Sequence, residues 1–144
     1  MGTEEYRIGA HEDGWCPMGL SKVNGGIHFN VAAAGEQCRV LLFKNGEEAF
    51  ALEFPEKDRK GDVWSMTVLG KNFTGLEYCF EIDGKMFSDP YGRRFAGLRA
   101  WGALDGARRV YRCPVEFEEF DWGDDRLPGI PYEDCIIYRL HSRG

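Results

Sequence analysis

Apolar and polar side chains alternate with a period of two through much of the middle of the chain. The alternation begins at residues 27–31 and recurs over residues 63–69 and 77–82. This spacing predicts half-buried β-strands, and it places the side chain of His28 on the solvent side of the first of them. Residues 38–43 are instead almost continuously apolar, which is typical of a strand that is covered on both faces.

Two dipeptides predict tight turns between these strands. Asn45-Gly46 precedes a return strand over residues 49–54, and both turn residues tolerate a positive φ. Asp83-Gly84 is a second signal of this kind and leads into residues 85–87. Six or so short strands with no helical periodicity predict an all-β protein built as an antiparallel β-sandwich.

The organisation of the chain follows from where this pattern starts and stops. Residues 1–20 are punctuated by glycine and proline and are predicted to be irregular. The β-sandwich is predicted over residues 21–112, with residues 109–112 as its last strand. Residues 113–134 are acidic and contain prolines, which indicates a linker. Residues 135–144 contain an apolar strand that needs partners on both faces, so we expect a second domain to begin there.

Composition and charge argue against several classes of partner. The net charge is −6 and the pI is about 5.1, whereas binding to nucleic-acid phosphates needs clustered Lys and Arg. No apolar run is long enough to span a bilayer. We therefore expect neither a nucleic acid nor a membrane as a partner.

The cysteines bear on metal binding and on cellular location. Five are present, and no two have the C-x-x-C spacing of a zinc site, so we expect no metal and no other cofactor. Cys38, Cys79 and Cys135 lie in apolar stretches, where a reduced thiol packs as a small hydrophobic group. This favours a reducing compartment, and the N-terminus lacks a signal-peptide pattern, so the cytoplasm is the expected location. A leader removed earlier would leave the same pattern, which keeps export open.

Three groups of motifs follow one another along the chain. Residues 17–31 begin with Pro-Met-Gly and end with Gly-Gly-Ile-His-Phe-Asn-Val. Residues 61–91 contain Gly-Asp-Val-Trp, Gly-Leu-Glu-Tyr, Asp-Gly and Asp-Pro-Tyr. Residues 121–144 contain Asp-Trp, Asp-Arg-Leu-Pro and Tyr-Glu-Asp-Cys-Ile-Ile-Tyr-Arg-Leu-His-Ser-Arg-Gly. In order and spacing, these motifs resemble the N-terminal region of glycoside hydrolase family 13 debranching enzymes, of the isoamylase, bacterial glycogen-debranching and type I pullulanase kind.

The resemblance implies an immunoglobulin-like sandwich of the carbohydrate-binding module family 48 type, followed by the first strand of a truncated (β/α)8 barrel. Glycoside hydrolysis needs two carboxylates, and in the resembling family they lie on barrel strands beyond residue 144. No catalytic residue is therefore expected here. The expected function is that of a non-catalytic N-terminal module of an α-1,6-glucan debranching hydrolase, which supports its missing catalytic barrel and the substrate cleft.

Candidate contact residues fall into two sets. Sugar faces stack on exposed rings and sugar hydroxyls need polar partners, so the candidates for α-glucan binding are Trp64, Lys85, Phe87 and Trp101. A structural role is favoured for all three rings, with Trp64 in the core and Trp101 against the barrel. The candidates for packing between domains are Asp89, Tyr91, Trp122, Ile136 and Tyr138.

The residues that related glycogen-binding modules use for sugar differ in this chain. Those modules have a Lys in the strand before the Asp-Gly turn and a Trp just after it. The corresponding residues here are Cys79 and Met86, or Phe87 if the register shifts by one. This departure counts against sugar binding by the chain itself.

Two functions are alternatives to that of a debranching-enzyme module. The first is a glycogen- or starch-binding module with its own affinity for α-glucan, and the second is the front module of a glycogen branching enzyme. An independent enzyme is disfavoured, because no His lies near a Ser or Cys nucleophile in a recognisable motif. Gly25-Gly26 precedes a strand rather than a helix, which argues against a phosphate-binding loop.

Overall fold

The computed structural model describes residues 6–10, 16–96, 110–117 and 121–140, and within these ranges the structure is all-β, as predicted. The described strands are β1 (Tyr6–Ile8), β2 (Gly19–Val23), β3 (Gly26–Ala32), β4 (Cys38–Lys44), β5 (Glu47–Glu53), β6 (Val63–Gly70), β7 (Leu76–Ile82), β8 (Lys85–Phe87) and β9 (Cys113–Pro114). Short 3-10 turns occur at Glu56–Asp58 and Tyr132–Asp134. In the described part of the chain, no helix has the length and apolar character needed to cross a membrane.

The strands form two antiparallel sheets. The first sheet has the order β1-β6-β3-β2. The second has the order β5-β4-β7-β8, and β9 also pairs with β7. Because β4 pairs with β7 along its whole length, β8 and β9 share the opposite edge of β7. The chain therefore leaves the sandwich next to a central strand of the second sheet.

The core lies between the sheets and is filled by alternate residues of each strand. Phe29 of β3 lies opposite Met66 of β6 in the first sheet, and both are fully buried. From the second sheet, the ring of Tyr78 lies 5.1 Å from that of Phe29, and the ring of Phe80 lies 6.0 Å from it. Burial of a large apolar side chain contributes about 1.5–3 kcal/mol, so this aromatic cluster is a main source of stability.

Both predicted tight turns are confirmed. Asn45 and Gly46 have φ values of 54° and 90° and connect β4 to β5. Asp83 and Gly84 have φ values of 47° and 75° and connect β7 to β8. Positive φ at both central residues gives a turn whose twist matches that of the paired strands, which is why these dipeptides are reliable signals.

Strand β4 is covered on both faces, as its continuous apolar sequence predicts. Val40 and Leu42 pack in the core between the sheets. Leu41 and Phe43 are buried on the outer face of the second sheet, where Val110 packs against their cluster. The outer cover therefore comes from a segment that is far away in the sequence.

Arg112 holds this outer cover in place through three contacts. Its guanidinium carbon lies 4.8 Å from the centre of the Phe43 ring, a cation–π distance. Its Nε lies 3.1 Å from Oε2 of Glu77, and its Nη1 donates a 2.9 Å hydrogen bond to the carbonyl oxygen of Gly46. The charged end of Arg112 thus fastens residues 110–114 across the sheet.

The sandwich extends beyond residues 21–112 at both ends. Strand β1 lies in a segment that the pattern predicts to be irregular, because three residues are too few to reveal a period. Its Tyr6 is buried, and the Tyr6 ring stacks on that of Phe50 at 4.7 Å. At the other end, β9 lies beyond residue 112, the predicted end of the sandwich. Residues 109–112 are not the last strand, because Arg112 forms only a single bridge, with Ala96.

His28 is buried, so the predicted exposure of this side chain is wrong. It is 1% exposed, with Nδ1 2.8 Å from Oγ1 of Thr67 and Nε2 3.2 Å from Oδ1 of Asn30. The Asn30 Oδ1 also accepts a 2.5 Å hydrogen bond from Ser65, and its Nδ2 donates to the carbonyl of Cys16 at 3.0 Å. The alternation identified the outer face of the first sheet correctly, but part of the N-terminal segment covers that face.

The apolar residues near the C-terminus form no strand, although their sequence predicts one. Residues 135–140 have no sheet partner within the described ranges. The side chains of Ile136, Tyr138 and Leu140 are 81%, 83% and 78% exposed. Apolar side chains gain free energy when they leave water, so this segment lacks the cover that its composition requires.

Candidate functional site

The Asp89-Pro90-Tyr91 turn, where the chain leaves β8, is built around a buried carboxylate. Asp89 is 1% exposed. Its Oδ2 accepts a 2.6 Å hydrogen bond from the hydroxyl of Tyr78, and its Oδ1 accepts a 2.8 Å hydrogen bond from the backbone N–H of Tyr91. The backbone carbonyl of Asp89 also accepts a 3.1 Å bond from the N–H of Gly92. Asp89 thus joins the core residue Tyr78 to the backbone of the turn, while the side chain of Tyr91 beside it is exposed.

Gly19 allows strand β2 to approach this turn. Its φ is +86°, and a Cβ added there would lie 2.8 Å from Cβ of Tyr91 and 3.3 Å from Oδ2 of Asp89. A side chain at this position would therefore collide with the turn and strain the backbone. This contact explains why β2 begins with a glycine, a constraint that the sequence alone does not reveal.

A cleft of about 290 Å³ opens beside the turn, between β2 of the first sheet and β9 of the second. Apolar and aromatic side chains line much of it, including Leu20, Tyr78, Tyr91 and Phe117. Its charged lining residues are Lys22, Arg93, Arg94 and Glu116. Sequence reasoning missed this cleft, because Lys22 and the arginines are far apart in the sequence and only the pairing of the sheets brings them together.

The phenol of Tyr78 and the thiol of Cys113, which line the cleft, are held in their neutral forms. Burial raises the pKa of the Tyr78 phenol well above its usual range, and the hydrogen bond to Asp89 and the charge of Asp89 act in the same direction. Burial likewise raises the pKa of the Cys113 thiol to about 11. A buried thiol that stays protonated is a poor nucleophile, so Cys113 has a packing role. Among the described residues, no group of three His, Cys, Asp or Glu side chains is arranged to hold a metal ion.

The structure separates the predicted sugar-binding residues. Trp64 is 1% exposed and lies in the core, where its Nε1 donates a 3.1 Å hydrogen bond to the carbonyl of Ala33. Its candidacy as a binding platform is therefore wrong, and the favoured structural role is the correct one. Lys85 and Phe87 are both exposed on β8, two residues apart and so on one face of the strand. Trp101 lies outside the described residues.

Related modules have a Lys at the position of Cys79, on the outer face of the second sheet. In this chain that position offers no exposed surface to a sugar. Cys79 is fully buried there, in the cluster with Leu41 and Phe43 that Val110 covers. Met86 lies opposite Glu81 on the same face and is 41% exposed. Phe87 lies opposite Phe80, and its side chain is therefore on the other face, the inner side of the sheet.

Four of the five predicted interdomain residues are exposed. Tyr91 is 56% exposed, Trp122 67%, Ile136 81% and Tyr138 83%, whereas Asp89 is buried in the turn. The exposed four offer large apolar surfaces, which is what packing against another domain requires. Asp89 instead fixes the backbone that presents Tyr91.

The sequence comparison gives the family. The profile of carbohydrate-binding module 48, the isoamylase N-terminal domain, matches residues 15–92, which is more than half of the chain. The chain belongs to this family. The matched part of the family 48 module contains β2 to β8 and the Asp89-Pro90-Tyr91 turn. The resemblance inferred from the motifs is therefore confirmed.

The family 48 module is similar to parts of an isoamylase, a glycogen debranching enzyme and a glycogen operon protein. It is 28% identical over 153 residues to isoamylase 3 (chloroplastic) of Oryza sativa subsp. japonica, with 88% of this chain and 20% of the relative covered. It is 29% identical over 153 residues to the glycogen debranching enzyme of Yersinia enterocolitica, with 89% and 23% covered. It is 32% identical over 153 residues to the glycogen operon protein GlgX homolog of Haemophilus influenzae, with 89% and 22% covered. The chain thus spans about a fifth of the length of these curated relatives.

Solved structures of a pullulanase and of a glycogen-degrading virulence factor share the fold of the family 48 module. The Group B Streptococcus pullulanase SAP in complex with maltotetraose matches with a TM-score of 0.54 at 17% identity, over 72% of this chain and 15% of that chain. The catalytic module of the glycogen-degrading pneumococcal virulence factor SpuA matches with a TM-score of 0.51 at 20% identity, over 72% and 16%. At this level of identity the likeness concerns the fold.

Proposed function

We propose that this family 48 module is a non-catalytic N-terminal part of an α-1,6-glucan debranching hydrolase. In this role it supports the catalytic barrel and shapes one side of the substrate cleft. The relatives include isoamylase and glycogen debranching enzymes, and this chain aligns with only 20–23% of their lengths. The proposal assigns the chemistry of debranching to the larger part of such proteins, which this chain does not match.

The exposure of apolar side chains over residues 127–140 carries the proposal. Leu127 is 96% exposed, Ile136 81% and Tyr138 83%. Full burial of one such side chain is worth about 1.5–3 kcal/mol, so a folded neighbour that covers the segment would bind it favourably. In the proposed parent, residues 135–140 are the first strand of the (β/α)8 barrel, and Tyr91 and Trp122 also pack against the barrel.

The positions of the predicted sugar-binding residues also favour a role in supporting the barrel over a role in binding sugar. Trp64 is in the core, and Cys79 lies under a cover that Val110 and Arg112 provide. A sugar-binding face needs exposed rings with polar groups near them. Among the described sugar-binding candidates, only Lys85 and Phe87 meet the condition of exposure.

A matched pair of substitutions tests the packing role. The double variant Ile136→Asp with Tyr138→Asp leaves this chain's thermal stability unchanged, because both side chains are exposed here. In the longer debranching enzyme, the same change lowers the melting temperature and the rate of pullulan hydrolysis, because it would bury two charges at the interface. The control is Lys57→Asp, an exposed charge reversal in the 3-10 turn after β5, which affects neither protein. Equal effects of the double variant and the control would contradict the proposal.

A hydrolysis assay tests the absence of catalysis. Incubation of this chain with pullulan is expected to release no reducing ends, whereas the longer protein releases maltotriose units from the same substrate. Turnover by the chain alone would overturn the proposal. Formation of new branch points by the longer protein, in place of hydrolysis, would instead identify the parent as a glycogen branching enzyme.

One observation favours an independent α-glucan-binding function as the second candidate. Lys85 and Phe87 lie on the same side of β8, which is the inner side of the sheet, and both remain exposed there, Phe87 by 46%. A calorimetric titration of this chain with maltotetraose distinguishes the two functions. The supporting role predicts no heat at millimolar sugar, and heat that the Phe87→Ala variant abolishes would establish the binding role instead.

We also propose the cytoplasm as the location of the protein. Cys38, Cys79 and Cys113 are buried free thiols, and Cys16 and Cys135 are free as well. Such thiols persist most readily in a reducing compartment. Fractionation of the native cells tests this proposal, and recovery of the protein from the medium or the periplasm would contradict it.

A further inference from the structure

We propose that the cleft beside the Asp89-Pro90-Tyr91 turn binds a phosphorylated glucosyl unit. The assignment of a phosphate group rests on the charges of the cleft alone. The choice of glucose as the sugar rests on the proposed function in α-glucan metabolism.

The lining of the cleft is cationic, although the chain as a whole has a net charge of −6. Among the lining residues, three side chains are basic and one, Glu116, is acidic, which leaves two net positive charges. The basic residues are Lys22, Arg93 and Arg94. Nη1 of Arg94 lies 2.8 Å from Oε2 of Glu116, so this pair is largely neutralised. Within residues 6–10, 16–96, 110–117 and 121–140, no carboxylate forms an ion pair with Lys22 or Arg93.

These two uncompensated cations suit a phosphate group. A guanidinium binds two phosphate oxygens through parallel hydrogen bonds, and an ammonium adds a point charge. The nearest buried acid is Asp89, and both of its oxygens already accept hydrogen bonds, from Tyr78 and from the backbone of Tyr91. We therefore assign the phosphate to the space between Lys22 and Arg93.

The rest of the cleft suits a single sugar ring. Its volume of about 290 Å³ is at the small end of the range for ligand pockets, which matches one sugar ring within the cleft. Tyr91 is 56% exposed and offers an aromatic face for stacking, while Leu20 and Phe117 provide apolar surface. A phosphate bound by the two cations and a ring stacked on Tyr91 together match a hexose phosphate.

The position of the cleft gives such binding a consequence. Tyr91 is one of the residues that the proposed function places against the catalytic barrel, so the cleft would open at the junction of two domains. Ligand sites occur preferentially at such junctions. A phosphorylated glucosyl unit bound there would alter the contact between module and barrel. Its source is either a free hexose phosphate or a phosphate ester carried on an α-glucan chain.

A titration followed by NMR tests the inference on the 144-residue chain. Glucose 6-phosphate represents the free source, and a phosphorylated malto-oligosaccharide represents the glucan source. Glucose, maltotetraose and inorganic phosphate are the reference ligands. The inference predicts that at least one phosphorylated sugar shifts the backbone signals of residues 20–22, 91–94 and 116–117, and that glucose and maltotetraose do not.

Two variants give the test its specificity. Arg93→Ala is expected to weaken binding about tenfold or more, because it removes a charge-assisted contact with the phosphate. Lys57→Ala removes the same charge from an exposed site that does not line the cleft, and it is expected to leave the affinity unchanged. Both side chains are exposed, so neither substitution should affect folding. An equal loss in the two variants would mean that the attraction is non-specific, and it would overturn the inference.

The remaining outcomes separate this inference from the proposed function. If no phosphorylated sugar binds, the cleft assignment fails while the supporting role of the module is unaffected. If inorganic phosphate binds as tightly as the phosphorylated sugars, the sugar part is wrong. If maltotetraose binds as tightly as its phosphorylated form, the cleft does not recognise the phosphate group. The proposal that the module has a supporting role without sugar binding would then fail as well.

Discussion

The hydroxyl of Tyr78 donates a 2.6 Å hydrogen bond to Oδ2 of Asp89, which ties a central strand of the second sheet to the turn where the chain leaves the sandwich. Both residues are 1% exposed. The bond fixes the direction of the backbone at Tyr91. In the proposed parent, that direction sets the orientation of the module relative to the barrel.

Removal of this hydroxyl should destabilise the module. Tyr78→Phe leaves Oδ2 of the buried Asp89 without its donor, and an unsatisfied buried acceptor costs about 1–3 kcal/mol. The free energy of unfolding, measured with urea, is expected to fall by that amount. Tyr132→Phe is the matched control, because Tyr132 is 80% exposed and its hydroxyl has water as a partner. A change in Tyr78→Phe no larger than in the control would mean that the bond adds no net stability.

The polar cluster under the N-terminal segment should also be needed for stability. Asn30→Ala removes the donor to the carbonyls of Cys16 and Pro17 and the acceptor for Ser65. We expect a loss of about 2 kcal/mol in unfolding free energy, since several buried partners lose their bonds at once. Hydrogen exchange near residues 16–18 should become faster. Asn24→Ala in the exposed turn after β2 is the control, and an equal response there would refute the role of the cluster.

Stability should fall at alkaline pH. Burial raises the pKa of Cys38 from 9.0 to about 12 and that of Cys79 to about 11. Folding thus favours the protonated thiols, so their contribution is complete below about pH 9 and is lost as the pH rises through the folded pKa values. Burial raises the pKa of the Tyr78 phenol as well, which acts in the same direction.

Urea unfolding under reducing conditions measures this effect. The free energy of unfolding should decline from about pH 9 upward, by at most about 1.4 kcal/mol per pH unit for each thiol. The Cys79→Ala variant should show a shallower decline than the parent chain. A profile that is flat up to pH 11 would contradict the assignment of buried, protonated thiols.

Loss of Arg112 should expose the outer face of the second sheet. Arg112→Ala removes the contacts with Phe43, Glu77 and Gly46 that hold residues 110–114 across the sheet. The thiol of Cys79 beneath should then react with a thiol reagent at neutral pH, whereas in the parent chain it reacts slowly. Arg7→Ala removes an exposed charge from the other sheet and serves as control. Unchanged reactivity of Cys79 in Arg112→Ala would show that other groups provide the cover.

The features that could be predicted from the sequence are those fixed by local chemistry. The turn at Asn45-Gly46 follows from the backbone freedom of two adjacent residues, and the inward position of Phe29 follows from alternation within one strand. The burial of His28 could not be predicted, because alternation indicates a face and not what lies on it. Its cover comes from residues 16 and 17, which bond to the neighbouring Asn30.

The candidate site depends on contacts between distant parts of the chain, and this explains why little of it was predicted. Trp64 could belong to a platform or to the core until its pairing with Val31 placed it between the sheets. Lys22 and Arg93 line the same cleft only because the fold brings β2 close to β9 and to the segment that follows β8. Asp89 was assigned to domain packing from its motif, but its partner Tyr78 is a core residue of β7.

In the proposed parent, a catalytic barrel covers residues 135–140. Hydrogen exchange of these residues is to be compared between this chain and a longer protein that joins it to the proposed barrel. We predict rapid exchange in this chain, where the backbone has no sheet partner in the described ranges, and exchange slower by about a hundredfold or more in the longer protein. Equally rapid exchange in both proteins would contradict the proposed packing of residues 135–140.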